Sequence, residues 1–297
     1  MSDGVLALDK PQGVSSNAAL GIAKRRLAVR KAGHAGTLDP LATGVLVMAT
    51  GRFTRLLALL GGATKVYRAT VRLGVATDTL DVTGRVVASC EVPVLGEDEV
   101  AQALGSLRGE QLQAPPAFSA RKVAGQRAYQ LARRGEEVAL APRSVHIHEL
   151  TLLGHEGATV MLRVGCSSGT YVRALVRDLG EALGIPAVLA GLRREQVGTI
   201  GLEWAVPPER VSWDDRVPLE RVLPAVAKVR IDAALLADAR HGRRLPLGSV
   251  RPEGVLEEGD RAAVLLEGES EPYDALVGVY RVVGAALVPE MVFAKGL

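Results

Sequence analysis

The stretch GHAGTLDPLATG at residues 33–44, running into the apolar VLVMA of residues 45–49, constrains this chain more than any other. The apolar run reads as a buried strand, so the residues before it form a loop at a strand end. Gly33, Gly36 and Gly44 permit positive φ and close approach of other groups. Pro40 fixes its own φ and pushes Asp39 into an extended conformation. One carboxylate is thereby held on a stiff turn at a sheet edge. An α+β enzyme can present a catalytic group there, and Asp-Pro is also a common turn signal. Local pattern leaves both readings open.

At 297 residues with 48% hydrophobic content, the chain has ample core for two domains. No run approaches the length of a membrane span, and MSDG lacks the basic start of a secretory signal, so a cytoplasmic protein is expected. Cys90 and Cys166 make no disulfide framework, and no CxxC accompanies the five histidines. Both cysteines read as small core residues, and no metal is expected. The net charge is only +3, but its distribution is uneven. No acid lies between Asp9 and Asp39, a span holding Lys10, Lys24, Arg25, Arg26, Arg30 and Lys31. A second acid-free span, 111–135, holds Arg121, Lys122, Arg127, Arg133 and Arg134. Either could be a solvated basic face; together they suit a phosphate backbone.

Residues 4–8 read as a strand, and Ser15 or Ser16 as the cap of a helix with Leu20, Ala23 and Leu27 on its apolar stripe, ending near Gly33. Residues 65–75 alternate cleanly, with Tyr67, Ala69, Val71 and Leu73 on one face. A turn is expected at Thr83-Gly84, an exposed helix over 97–107 and another helix over 126–134. His146 and His148 alternate along a strand as polar edge residues, and 158–166 form another strand. Val172, Leu175, Val176, Leu179 and Leu183 then make an amphipathic helix. Arg173 lies in its first turn, where the helix dipole disfavours a cation, so a partner carboxylate is expected.

GHAGTLDPLATGVL resembles the catalytic motif of the TruB family, the tRNA pseudouridine-55 synthases, whose essential aspartate precedes proline, here Asp39. Further similar segments follow in the family's order. GVLALDKPQGVSSN resembles the amino-terminal motif, in which the lysine, Lys10, helps pack the catalytic loop. KVYRA resembles the segment whose tyrosine, Tyr67, stacks on the target base and can take part in the last proton transfer. ATDTLD matches a TDT-D signature and contributes Asp78, as a wall residue or an arginine partner. PPAFSARKVAGQ resembles the PP-YSA-K-G segment, with Phe118 where a tyrosine is usual and Arg121 and Lys122 placed for RNA phosphates. CSSGTYVRALVRDLG resembles the motif whose arginine, Arg173, pairs with the aspartate; Tyr171 accompanies it at the substrate. AGLRR resembles the segment whose leucine, Leu192, lines the uracil pocket. His34 resembles the histidine that fills the space left by the target base.

The resemblance implies a cofactor-free, metal-free isomerase that flips the T-loop uridine of tRNA into a pocket and converts it to pseudouridine. A guide-RNA-dependent synthase of the same fold and a noncatalytic RNA-binding or RNA-folding protein are the alternatives. The uninterrupted LDPLATGVL favours the stand-alone bacterial type, needing neither guide RNA nor protein partner, and a monomer is expected. The implied fold is α+β: a mixed β-sheet catalytic domain over 1–224, in which 199–224 read as a proline-rich linker, and a small β-barrel, PUA-like domain over 225–297. From Lys228 onward, nine Lys and Arg face eleven Asp and Glu, so any RNA contact there needs a local patch such as Arg240, Arg243 and Arg244.

Overall fold

The computed structural model describes residues 3–118 and 140–293, with 122, 123, 126, 127, 131, 134 and 136 between them. In the amino-terminal part, strands β1 (Val5–Lys10), β2 (Ala32–Ala35), β3 (Thr43–Thr50) and β4 (Lys65–Leu73) are accompanied by helices α1 (Ser16–Arg26) and α2 (Leu57–Gly62). A hairpin, β5 (Val75–Thr77) and β6 (Val86–Ser89), leads to α3 (Glu97–Ser106) and β7 (Gly109–Gln113). Short strands β8 (Lys122–Val123) and β9 (Gln126–Arg127) pair with each other. Strands β10 (Arg143–Glu156) and β11 (Thr159–Cys166), helix α4 (Val172–Leu183) and strands β12 (Ala187–Val197), β13 (Ile200–Gly201) and β14 (Ala205–Val206) complete the main sheet.

That mixed sheet has the order β14-β1-β3-β12-β4-β11-β10-β7, with β2 on β3 and β13 on β12. The alternation read for β4 is seen directly: Lys65, Tyr67, Ala69, Val71 and Leu73 are buried, while Arg68 and Arg72 are exposed. Its buried face meets α4, whose Val172, Leu175, Val176 and Leu179 join the same core. Helix α3 adds Val100, Ala103 and Leu104 to that core, so it is not the exposed helix expected. Each fully buried aliphatic side chain of this kind contributes about 1.5–3 kcal/mol.

Helix α1 starts as expected, Ser15 accepting from the Ala18 amide, but ends at Arg26; 32–35 pair with β3 instead. The expected helix at 126–134 is corrected at Gln126 and Arg127, which are strand; most of the remainder lies outside the described residues. Cys90 is exposed rather than core. It follows a two-stranded hairpin whose strand β6 buries no side chain. The 199–224 stretch is no loose linker. Ala205-Val206 pairs in parallel with β1, and Val217, Leu219, Val222 and Leu223 are buried.

Beyond it, strands β15 (Ala227–Ile231), β16 (Leu245–Pro246), β17 (Arg251–Pro252), β18 (Arg261–Leu266), β19 (Leu276–Val283) and β20 (Ala286–Val292) form a second sheet, with helix α5 (Ala233–Arg240) against it. Its order, β16-β20-β19-β18-β15-β17, makes a curled half-barrel whose outer strands are not paired with each other. Phe53 of the first unit packs 5.2 Å, ring to ring, from both Tyr273 and Phe293 of the second. Arg52 donates to the Phe293 and Tyr273 carbonyls at 3.1 and 2.8 Å, so the two sheets share one core. No helix among the described residues is long and apolar enough to cross a membrane.

The parallel junction of β3 and β12 depends on one glycine. Gly44 lies opposite Arg194 with φ +96°, and a Cβ there would sit 2.2 Å from the Arg194 carbonyl oxygen. Left-handed strain adds to that backbone clash. Gly44→Ala is expected to lose more than about 2 kcal/mol, read as a melting temperature lower by roughly 5 °C or more in a thermal scan.

Candidate active site

The turn at residues 36–42 crosses one end of the sheet, and its backbone is fixed by side chains from distant elements. Ser16 Oγ accepts the Leu38 amide at 2.8 Å and donates to the Leu38 carbonyl at 2.9 Å. The Lys10 ammonium, fully buried, donates to the carbonyls of Pro11 and Val14 at 2.9 and 2.6 Å and reaches Pro40 at 3.5 Å. Arg194, 1% exposed, donates to the Val45 and Gly36 carbonyls at 2.7 and 2.9 Å. Asp39 emerges from this clamp with its side chain 44% exposed.

Arg173 meets it from the first turn of α4. Its Nη2 lies 2.9 Å from Asp39 and its Nη1 3.7 Å from the buried Asp81. The same guanidinium donates to the Thr79 and Phe118 carbonyls at 2.8 and 2.9 Å. Two carboxylates and two carbonyls thus compensate a cation, 5% exposed, at the unfavourable end of a helix dipole. Asp81 is itself tied down by Thr79 Oγ1 and the Thr83 amide, each at 3.0 Å.

Asp39, Arg173, Tyr67, Tyr171, Leu192, Lys65 and Arg194 line one cavity of about 360 Å³, together with backbone near Gly36 and Gly169. Tyr67 is 8% exposed; burial raises the pKa of its phenol, opposed by the Arg194 charge. Tyr171 caps α4, and the buried Gln113 takes its amide at 2.8 Å and donates to its carbonyl at 3.2 Å. Cys166, beside Lys65 across the β11–β4 ladder, is pushed up to about 11 by burial and stays a thiol at neutral pH.

The other sequence candidates fall outside that lining. His34 Nε2 lies 3.3 Å from Asn17 Oδ1, and Nδ1 is buried without a hydrogen-bond partner. Burial, then the Arg194 charge, holds the imidazole below its ordinary range, hence neutral at pH 7. Asp78 accepts the Arg85 amide at 2.9 Å and lies 3.8 Å from its guanidinium, so it closes the hairpin rather than lining the cavity. Arg121 lies outside the described residues; Lys122 has only its place in β8. Sequence reasoning gave no role to Asp81, Lys65, Arg194 or Asn17, although each stands in a quoted segment, and none to Gln113.

Residues 24–172, which hold Asp39, Lys65, Tyr67 and Tyr171 and end just before Arg173, match the model of the TruB family pseudouridylate synthase, N-terminal domain. The chain belongs to the TruB family. It is 44% identical to tRNA pseudouridine synthase B of Aromatoleum aromaticum, over 86% of each protein. Against the protein of that name from Burkholderia pseudomallei, identity is 42% over 99% of this chain and 98% of the relative. The solved H/ACA ribonucleoprotein bound to a substrate RNA containing 2′-deoxyuridine holds a similar chain, at TM-score 0.71 and 26% identity over 98% of this chain and 85% of that one. A chain of a Cbf5-Nop10-Gar1 complex scores 0.72 at the same identity and coverage. The α+β architecture is that of this pseudouridine synthase group, and TruB proteins are isomerases.

Within this TruB protein, burial lowers the pKa of Lys10 and Lys65 to about 8, against about 10.5 in an unfolded chain. Below pH 8 both states carry the charge and its burial cost is fully present. Between pH 8 and 10.5 the unfolded chain holds protons that the folded one has released, so both groups add stability as pH rises. Lys65→Met is expected to remove one such proton from the slope of unfolding free energy against pH, about 1.4 kcal/mol per pH unit. Urea titrations from pH 7 to 10 measure it.

Proposed function

We propose that this protein isomerises the T-loop uridine of tRNA, position 55, to pseudouridine, alone and without cofactor or metal. The observation that carries the reading is the 2.9 Å Arg173–Asp39 pair at the wall of a cavity that Tyr67 and Leu192 also line. The names of the relatives, tRNA pseudouridine synthase B, support a tRNA substrate.

In this reaction the bond from N1 to C1′ breaks and one from C5 to C1′ forms. The proton on C5 leaves and N1 gains one, so atoms and charge balance without a co-reactant. Asp39 is the reacting carboxylate, at C6, at C1′ or at the C2′ proton. Arg173 fixes its orientation, since a guanidinium holds a carboxylate by geometry as well as by charge. Tyr67 offers a ring face to uracil and a hydroxyl that relays the proton leaving C5, releasing its own toward N1. Leu192 and Tyr171 close the pocket around the base. A base within a folded loop is out of reach unless flipped; neutral His34, steadied by Asn17, takes its place in the stack. Lys10 acts through the loop it pins, while Arg121 and Lys122 serve the RNA backbone. Residues 1–224 carry the chemistry, residues 225–297 form a PUA-like domain, and the protein works as a cytoplasmic monomer with no guide RNA.

Mass-spectrometric mapping of unmodified tRNA transcript incubated with the pure protein is expected to show pseudouridine at the T-loop uridine alone. Asp39→Asn is expected to cut turnover by roughly a thousandfold or more while RNA still binds. Retained turnover in that variant would overturn the assignment of Asp39.

A further inference from the structure

Helix α1 is anchored to the catalytic turn at one end and carries an unpaired cluster of cations at the other. Lys24 is half-buried, and Arg25, Arg26, Arg30 and Lys31 are exposed. Among the described residues none of the five has an ion-pair partner or a side-chain hydrogen bond. Gly21, Lys24, Arg25, Ala28, Val29 and Arg30 line an open depression of about 400 Å³.

The ordinary structural role for such residues, satisfying and neutralising a helix C-terminus, is already filled by backbone. The Leu27 amide donates to the Ala23 carbonyl at 2.9 Å, Ala28 to Arg25 at 3.2 Å and Val29 to Lys24 at 3.0 Å. Ala28 adopts φ +55° to close that turn, a left-handed conformation that an alanine rarely takes. A favourable dipole interaction requires one cation near the last turn, and Arg30 and Lys31 lie beyond the helix. Five like charges with no acid from residue 10 to residue 38 repel one another unless an anion joins them.

We propose that this end of α1 and the turn after it bind the phosphates of the RNA strand running away from the target nucleotide. The inference rests on the reading of this protein as a tRNA-modifying enzyme. Ser16 ties the helix start to Leu38, Asn17 meets His34, and Lys31 leads directly into β2. A helix of 11 residues spans ~16 Å, equivalent to roughly five stacked nucleotides of one strand. An RNA with its target base in the cavity therefore has backbone within reach of the cluster. Flexible, unpaired cations around an open depression read charge rather than base identity, so the patch positions the substrate without selecting its sequence. A repeated anion of fixed spacing, rather than an acidic protein face, suits cations that have no apolar centre among them.

The test is fluorescence anisotropy of labelled, unmodified tRNA transcript against the triple variant Lys24→Gln/Arg25→Gln/Arg30→Gln across a salt series. Loss of three phosphate contacts is expected to reduce the slope of log affinity against log salt by ~2. The deficit relative to the unaltered protein is widest at low salt and narrows by roughly 20-fold between about 50 and 200 mM. The charge-conserving variant Lys24→Arg/Arg25→Lys/Arg30→Lys is expected to keep the original slope. An unchanged slope would overturn the patch, whether affinity is itself unchanged or is lower by the same factor at every salt concentration. Pseudouridine formation is followed in the same preparations. A patch that passes in a protein making no pseudouridine would sink the proposed activity, and active protein with an unchanged slope would sink the patch alone.

Discussion

The site depends on the guanidinium of Arg173, a buried cation held between two carboxylates of unequal exposure. Asp81 is 8% exposed and Asp39 44%. Removing one member of a buried pair strands the other, whereas a half-exposed carboxylate can turn to water. If Asp39 is neutralised, Arg173 still has Asp81, the Thr79 carbonyl and the Phe118 carbonyl. If Arg173 is removed, Asp81 loses its cation while remaining buried. Structural dependence thus falls on the Arg173–Asp81 side, leaving Asp39 to face the cavity. The short Arg173–Asp39 contact is the side of the arrangement open to the cavity.

Three other buried cations act differently. Lys10, Lys65 and Arg194 donate to main-chain carbonyls, not to carboxylates. Charge-assisted bonds of this kind are strong and hold a turn without adding negative charge to the cavity. Lys65 closes the end of α2 through the Gly61 and Ala63 carbonyls, each at 2.6 Å, while Arg194 joins β12 to the turn before β3. Desolvation is the largest influence on both lysines and on His34. The cavity wall is therefore electropositive, and among the residues that line it Asp39 is the one acid.

Much of this was legible along the chain because it rests on local periodicity. The alternation of 65–73 gave the strand and its buried face, the stripe from Val172 gave α4, and Ser15 gave the start of α1. A cation in a helix's first turn correctly called for a carboxylate. What pattern could not supply was set by distant backbone. Arg194 lies in a strand reading LRREQ, where nothing distinguishes a fully buried arginine from the half-exposed Arg193 beside it, which pairs with Asp9 at 2.9 Å. Asn17 acquires meaning only because β2 brings His34 against α1. The prolines of 199–224 suggested a linker, yet they punctuate short pieces packed on β1 and on the second sheet. Gln126 and Arg127 favoured helix by composition and pair with β8 instead.

The shared core also bears on how a large polyanion would meet this surface. In the second unit, basic side chains are largely matched: Arg261 and Arg281 with Glu290, Arg230 with Glu253, and Arg251 with Glu267. Its acids outnumber its bases, so the chain's positive surplus belongs to the first unit. There, among the described residues, five cations without partners gather on α1 and the turn behind it. Exposed pairs are worth little to stability, but they cancel long-range attraction. Docking of Tyr273 and Phe293 on Phe53 holds the neutralised half against the positive one. The field therefore has a fixed direction relative to the cavity. A polyanionic backbone would be drawn toward the face on which α1 leads to the turn that carries Asp39.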